Sequence, residues 1–170
     1  MIELTLANQS HIDTITKLAH TIWNTHYVPI IGQEQVDYML EHMYNKENLT
    51  LQLEVNKHQF YLIHNTNKCV GFISVSSVNQ QDYFLHKFYI HQQESNKGIG
   101  TQCLDKLTEL TKPQTITLTV NRQNFKSINF YFKNGFTIDR IEDFDIGNGY
   151  VMNDFVMVKK IAKETIIQNL

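Results

Sequence analysis

Two groups of polar and glycine residues in the second half of the chain have types and spacings suited to chemistry. The first is Lys97-Gly98-Ile99-Gly100-Thr101, preceded by the polar stretch His91-Gln92-Gln93-Glu94-Ser95-Asn96. It follows the strand-like Phe88-Tyr89-Ile90 and opens a helical pattern. A helix N-terminus presents N–H groups without intrahelical partners and carries partial positive charge. Two glycines let a pyrophosphate approach the backbone, Thr101 adds a hydroxyl and Lys97 adds charge. The segment suits a phosphorylated ligand. It is no Walker A motif, because no Gly-Lys-Ser/Thr follows a four-residue spacer. It is no dinucleotide fingerprint either, because Gln102 and Cys103 stand where a third glycine belongs. A Gly-x-Gly at a helix start is also what a plain tight turn leaves.

The second group is Asn124, Ser127 and Tyr131, spaced i, i+3 and i+7 and therefore on one face of a helix. They lie in the run Asn124-Phe125-Lys126-Ser127-Ile128-Asn129-Phe130-Tyr131-Phe132-Lys133-Asn134, closed by Gly135 as a C′ glycine.

The elements that must position these residues follow from periodicity. Alternation predicts a strand over Ile2–Leu6. Asn8-Gln9-Ser10 supplies N-cap chemistry for a helix to about Asn24, on the stripe Ile12, Ile15, Leu18, Ala19, Ile22, Trp23. His26-Tyr27-Val28-Pro29 breaks it, since Pro29 disfavours helix at the preceding residue. Helices follow over Gln33–Met43 and Glu47–Val55. Phe60–His64 and Val70–Val78 form a hairpin, then Tyr83–Ile90 is a strand. A helix over Gly98–Thr111, a strand over Ile116–Val120 and the Asn124–Asn134 helix come next. Phe136–Ile146 and Tyr150–Ile161 are strands joined at Gly147-Asn148-Gly149. The order β-α-α-α-β-β-β-α-β-α-β-β predicts an α/β (α+β) protein, a mixed sheet with helices packed on it.

Taken together, these motifs resemble the GNAT superfamily of acetyl-CoA-dependent N-acetyltransferases. That family has a strand, an Arg/Gln-x-x-Gly-x-Gly/Ala loop and helix, another strand, then a helix of pattern Asn-x-x-Ala/Ser-x-x-x-Tyr-x-x-x-Gly-Phe. Asn124, Ser127, Tyr131, Gly135 and Phe136 fall on the second pattern with its spacing intact. The element order matches along almost the whole chain. One position departs: Ser95 stands where the family has Arg or Gln, so Lys97 and backbone amides are left to meet the phosphates.

The resemblance implies acetyl-CoA as cosubstrate and a set of residues to hold it. Phe88, Tyr89 and Ile90 would offer backbone to the pantetheine arm, where two neighbouring parallel strands splay apart. Ser95, Asn96, Lys97, Gly98, Ile99, Gly100 and Thr101 would hold the pyrophosphate. Asn124 would bond the pantetheine end, Ser127 would allow close approach, and Lys133 would reach phosphate. Tyr131 would be the general acid that protonates the leaving thiolate. The bland alternative for Tyr131 is a core ring like Phe130 and Phe132. For the base, His86 is one candidate, two residues before Phe88 and so on one strand face with Phe88 and Ile90. Its alternative is a hydrogen-bonded sheet histidine. Glu34, Asp143 and Asp145 lie in segments that flank the acceptor site in this fold.

The first helices and last hairpin wall the acceptor in that family, which here means Trp23, Tyr27, Glu34, Tyr38 and Asp143. Aromatic rings with carboxylates suit a cationic amine. Trp23 and Tyr38 equally fit buried helix stripes. The Trp23–Tyr44 stretch and the Asp143–Asp154 hairpin look like the polyamine-acetylating branch of bacterial GNATs. The acceptor expected is a primary amine of a small molecule, polyamine-like, or of a peptide. A non-catalytic acyl-CoA-binding module and a different phosphate-binding α/β protein are the competing readings.

Composition narrows the classes. With 170 residues and 42% hydrophobic content, the chain is one domain, residues 1–170, with one sizeable core. A net charge of -2 gives no reason to expect nucleic acid. No apolar run spans a bilayer and no signal-peptide pattern opens the chain, so a cytoplasmic enzyme is expected. Cys69 and Cys103 have no CxxC spacing and read as free thiols. The eight histidines show no metal-ligand spacing, so no metal is expected. GNAT proteins often pair through their last strands, which leaves a homodimer open.

Overall fold

The computed structural model describes residues 1–95 and 97–161, so Asn96 of the expected phosphate loop lies outside the described residues. Seven strands form one mixed sheet of order β1-β2-β3-β4-β5-β7-β6. They are β1 (Ile2–Leu6), β2 (Gln59–Asn65), β3 (Lys68–Ser77), β4 (Asp82–Ile90), β5 (Thr115–Asn121), β6 (Thr137–Gly147) and β7 (Tyr150–Lys160). Among the described residues only β4 and β5 pair in parallel. The α-helices are α1 (Ile12–His26), α2 (Val28–Ile31), α3 (Gln33–Met43), α4 (Lys46–Glu54), α5 (Ile99–Thr111) and α6 (Phe125–Lys133). The mixed α/β class is the one expected.

α2 is the element that periodicity does not predict. Pro29 falls in its first turn, where a missing N–H costs nothing, so the residue that ends α1 also starts a new helix. The order therefore gains one helix between α1 and α3.

Strand alternation feeds two cores. Along β2, Phe60 and Leu62 face the layer of α1–α4, with Ile15, Trp23, Val36, Leu40 and Phe72. Tyr61 and Ile63 face the layer of α5 and α6, with Leu104, Leu107, Leu118, Ile128 and Phe136. Successive side chains on a strand point to opposite faces, so a sheet covered on both sides needs apolar residues at every position. Each large side chain buried this way contributes roughly 1.5–3 kcal/mol.

β4 departs from strict alternation, and the departure corrects one expectation. Val75 of β3 stands opposite Leu85, but Ser74 stands opposite Lys87, so His86 is an inserted bulge residue. Leu85, Phe88 and Ile90 pack toward α5 and α6. The His86 ring instead stacks on His58 at 3.9 Å and 16°, beside Phe60 of the opposite core. His86 thus does not share a face with Phe88 and Ile90, because one extra residue shifts the phase of everything after it.

Candidate active site

The parallel pairing of β4 with β5 ends at Leu85 and Leu118. β4 runs on to Ile90 and β5 to Asn121, so that edge of β4 has no strand beside it from His86 onward. The bulge at His86 lies at the point of divergence. A bulge bends its strand and increases its twist, which turns β4 away from β5.

A cleft of about 420 Å³ occupies this opening. β4 contributes Phe88, Tyr89 and Ile90, the loop before α5 contributes Ser95 and Gly98, and the start of α5 contributes Ile99, Gly100 and Thr101. α6 contributes Ser127, Tyr131 and Lys133. Sequence reading brings all of these together. It misses Ile22 and His26 of α1 and Lys126 and Asn129 of α6, which line the same cleft. Lys126 sits one residue before Ser127 and could have been found as a second cation on that helix.

The α5 terminus is built to receive acceptors. Gly98 is its N-cap at φ 72, a conformation that costs a side chain-bearing residue energy. No side chain caps the helix, and the first intrahelical bond runs from Gln102 N–H to Gly98 C=O. The N–H groups of the first turn are thus left for a ligand. The two glycines differ in role. A Cβ on Gly98 would meet only Gln102 Nε2, at 4.0 Å, whereas one on Gly100 would stand 2.8 Å from the Phe130 ring. Gly100 is small because α6 packs against it.

The loop's charge is also less positive than the sequence suggests. Lys97 Nζ lies 3.0 Å from Glu94 Oε2. That contact holds the Glu94 carboxyl below its ordinary range. Glu94 itself lines the cleft, so Lys126 and Lys133 of α6 are the cations on this wall that make no ion pair among the described residues.

Asn124 is the N-cap of α6, its Oδ1 accepting from Ser127 N–H at 3.2 Å. It is 2% exposed and lines neither cleft, its side chain lies within reach of His26 and Tyr27, and among the described residues its Nδ2 has no well-aligned hydrogen-bond partner. The open β4 edge, the uncapped α5 terminus and the cations Lys126 and Lys133 make this cleft fit an extended, phosphorylated cosubstrate.

A second cleft, about 170 Å³, lies on the other side of Tyr131. Tyr27, Phe88, Tyr89, Ser127 and Tyr131 line both clefts, so the two meet there. Tyr131 is 8% exposed and packed against Phe130 and Phe136. Among the described residues its hydroxyl makes no hydrogen bond, and burial raises its pKa above the ordinary phenol value. Phe132, by contrast, is exposed.

The smaller cleft is aromatic. Trp23 stacks on Tyr27 at 4.3 Å, and Tyr44 and Tyr89 stand edge-on at 6.3 Å with their hydroxyls 2.9 Å apart. Met39, Met43 and Met152 complete the apolar wall, and Asp154 of β7 is its carboxylate. Lys87 also lines it, with Nζ 2.7 Å from Gln52 Oε1 and 5.2 Å from the Tyr44 ring centroid. Burial pushes Lys87 down to about 8.

Of the acceptor residues expected from sequence, Trp23 and Tyr27 line this cleft. Glu34 is exposed at the start of α3 and lines neither cleft. Tyr38 donates to the Ile146 carbonyl at 2.7 Å and stacks on His42, away from both. Asp143 is held by Arg122 at 2.6 Å, and Asp145 accepts from Gly147 N–H at the β6–β7 turn. His86 lies at the cleft wall, but its Nε2 is 2.7 Å from Ser76 Oγ. Burial, then His58 and Lys87, push it down to about 3. Among the described residues no cluster of His, Cys, Asp and Glu is arranged for a metal ion, and no helix is long and apolar enough to cross a membrane.

The sequence model described as "Acetyltransferase (GNAT) family" matches residues 18–136. A protein named spermidine N(1)-acetyltransferase, from Thermoplasma acidophilum, is 25% identical over 94% of this chain and 97% of its own. The crystal structure of PaiA N-acetyltransferase from Thermoplasma acidophilum, in complex with coenzyme A, superposes with TM-score 0.79. It is 25% identical and the match covers 95% of this chain and 99% of that one. A probable acetyltransferase from Staphylococcus epidermidis shares the fold at TM-score 0.76 and 16% identity, over 95% of this chain and 100% of its own.

Proposed function

The chain belongs to the acetyltransferase (GNAT) family, an acyltransferase with acetyl-CoA as cosubstrate, and on that premise we propose that it acetylates a primary amine of a small molecule, polyamine-like, by direct attack in a ternary complex. The observation that carries this reading is the meeting of the two clefts at Tyr131. The larger cleft suits the cosubstrate and the smaller one the amine, so both reactants are held at one point. Holding two reactants in contact removes much of the entropic barrier to a bimolecular step.

In this reading the thioester lies at the neck between Ser127 and Tyr131. Lys126, Lys133 and the α5 amides meet the phosphates. The amine nitrogen attacks the acetyl carbonyl carbon, the C–N bond forms and the C–S bond breaks. Tyr131 gives its proton to the departing sulfur. Its raised pKa keeps that proton on the phenol at neutral pH, which is the form a general acid needs. The aromatic walls and Asp154 favour a cationic acceptor. The name carried by the spermidine N(1)-acetyltransferase relative supports a polyamine-like acceptor, and a peptide amine is the other substrate within the same chemistry.

The test is thiol release from acetyl-CoA across a panel of amines, run beside thermal shifts with acetyl-CoA. Acceptor-dependent release, strongest for a polyamine, supports the reading. A large thermal shift with no release for any amine would point instead to a sensing module.

A further inference from the structure

Asp154 is a buried carboxylate without an ion-pair partner among the described residues. It is 5% exposed and the one buried charged side chain among them. Thr119 of β5 offers it a hydrogen bond; Arg122 is the cation that acts on it, and Arg122 is already bound to Asp143 at 2.6 Å. Pairing of β7 with β5 places Asp154 opposite Asn121, at the mouth of the splay, and the carboxylate lines the smaller cleft together with Tyr131. A buried charge left unpaired costs several kcal/mol unless something in the site compensates it. We propose that Asp154 receives the ammonium group of the acceptor and removes the proton that must leave before the nitrogen can attack, a role that rests on the reading of function given above.

The protons balance. An ammonium nitrogen carries three. Asp154 takes one and passes it to solvent, freeing the lone pair that forms the C–N bond. The attacked nitrogen loses a second, which replaces the one Tyr131 gives to sulfur. The third remains on the amide. Burial, ahead of every other cause, pushes Asp154 up to about 6, which makes it a stronger proton acceptor than an exposed carboxylate.

Several other titratable groups face the site. They are Tyr27 of α1, Tyr44 after α3, His86, Lys87 and Tyr89 of β4, Tyr131 of α6, Arg122 after β5 and Asp143 of β6. His86 is pushed to about 3 and Lys87 to about 8, so neither gives a step near 6.

The test is kcat/KM for spermidine between about pH 5 and 8 at saturating acetyl-CoA, in wild type and in Asp154→Asn, since a base acts only when deprotonated. Wild type should rise with pH through a step near 6. The variant should lose that step and fall by ~10²–10⁴-fold, while its thermal shift with acetyl-CoA is unchanged. A folded variant with wild-type turnover, or a wild-type profile without the step, overturns the proposal. The wild-type profile decides alone if Asp154→Asn does not fold. If wild type acetylates no amine, the reading of function fails. Calorimetric titration of spermidine into the CoA-bound protein then judges Asp154 separately: binding equal in wild type and variant overturns its role, and binding at least about tenfold weaker in the variant supports it, as expected for loss of a buried charge pair.

Discussion

Phe130 occupies the space a side chain on Gly100 would need, with its Cε2 2.8 Å from where a Cβ would stand. The start of α5 and the middle of α6 are thereby locked together, and the cosubstrate cleft lies along their seam. The glycine serves the packing of two helices that must converge on one ligand.

Gly100→Ala tests this seam. Alanine is the better helix former by about 1 kcal/mol. Overpacking against the ring costs about 1–3 kcal/mol, so the variant should melt lower and bind acetyl-CoA more weakly. Adding Phe130→Leu should return much of the melting temperature. A single variant as stable as wild type would contradict the arrangement.

Tyr131→Phe removes one oxygen and leaves the packing against Phe130 and Phe136 in place. Turnover should fall by ~10²-fold with acetyl-CoA affinity nearly unchanged, the signature of a group used in the transition state. Steady-state kinetics beside equilibrium binding separates the two quantities.

Glu94 binds Lys97 and puts negative charge on the cleft wall. Glu94→Gln should therefore tighten acetyl-CoA binding, by roughly 2–5-fold at low salt. The gain should shrink as ionic strength rises, because exposed charges are screened. Titrations at two salt concentrations check both the direction and the dependence.

The stacked His58 and His86 should make stability depend on acid. Burial pushes their folded-state values to about 4 and about 3, below the ordinary 6.5. Between those values the unfolded chain binds more protons than the folded one. Stability from this pair is complete above pH 6.5 and declines as pH falls toward 4. Asp154, raised from 3.8 to about 6, has the opposite slope in part of the window. Two histidines outweigh one carboxylate there, so the melting temperature should drop on acidification. His58→Phe, which keeps a ring in the stack, should flatten that drop.

The chemistry of α6 and the start of α5 is legible in the sequence because both depend on local spacing. Asn124, Ser127 and Tyr131 share a face through helix geometry alone, and a glycine at a helix start announces itself. What stays hidden depends on long-range pairing. Nothing local distinguishes Asp154 from Asp143 or Asp145. β5–β7 pairing buries the first, Arg122 takes the second, and a turn amide takes the third. The bulge at His86 is invisible for the same reason, since it is a relation between two strands. Tyr38 illustrates a third limit: helical periodicity brings it toward the sheet, but its hydroxyl goes to the Ile146 carbonyl of β6.

That bulge gives β4 something like a reading frame. Before His86 the strand is read in one phase and after it in the other, and each half addresses the correct core only because one residue is out of step. Deleting any one residue between Leu85 and Phe88 would restore strict alternation. It would leave Phe88 and Ile90 on the face of Leu85, but it would remove the bend that turns β4 away from β5 and so narrow the opening that forms the cosubstrate cleft. Substitutions in this stretch are local events, whereas the loss of one residue would act on the width of the whole site while leaving each wall's residues in place.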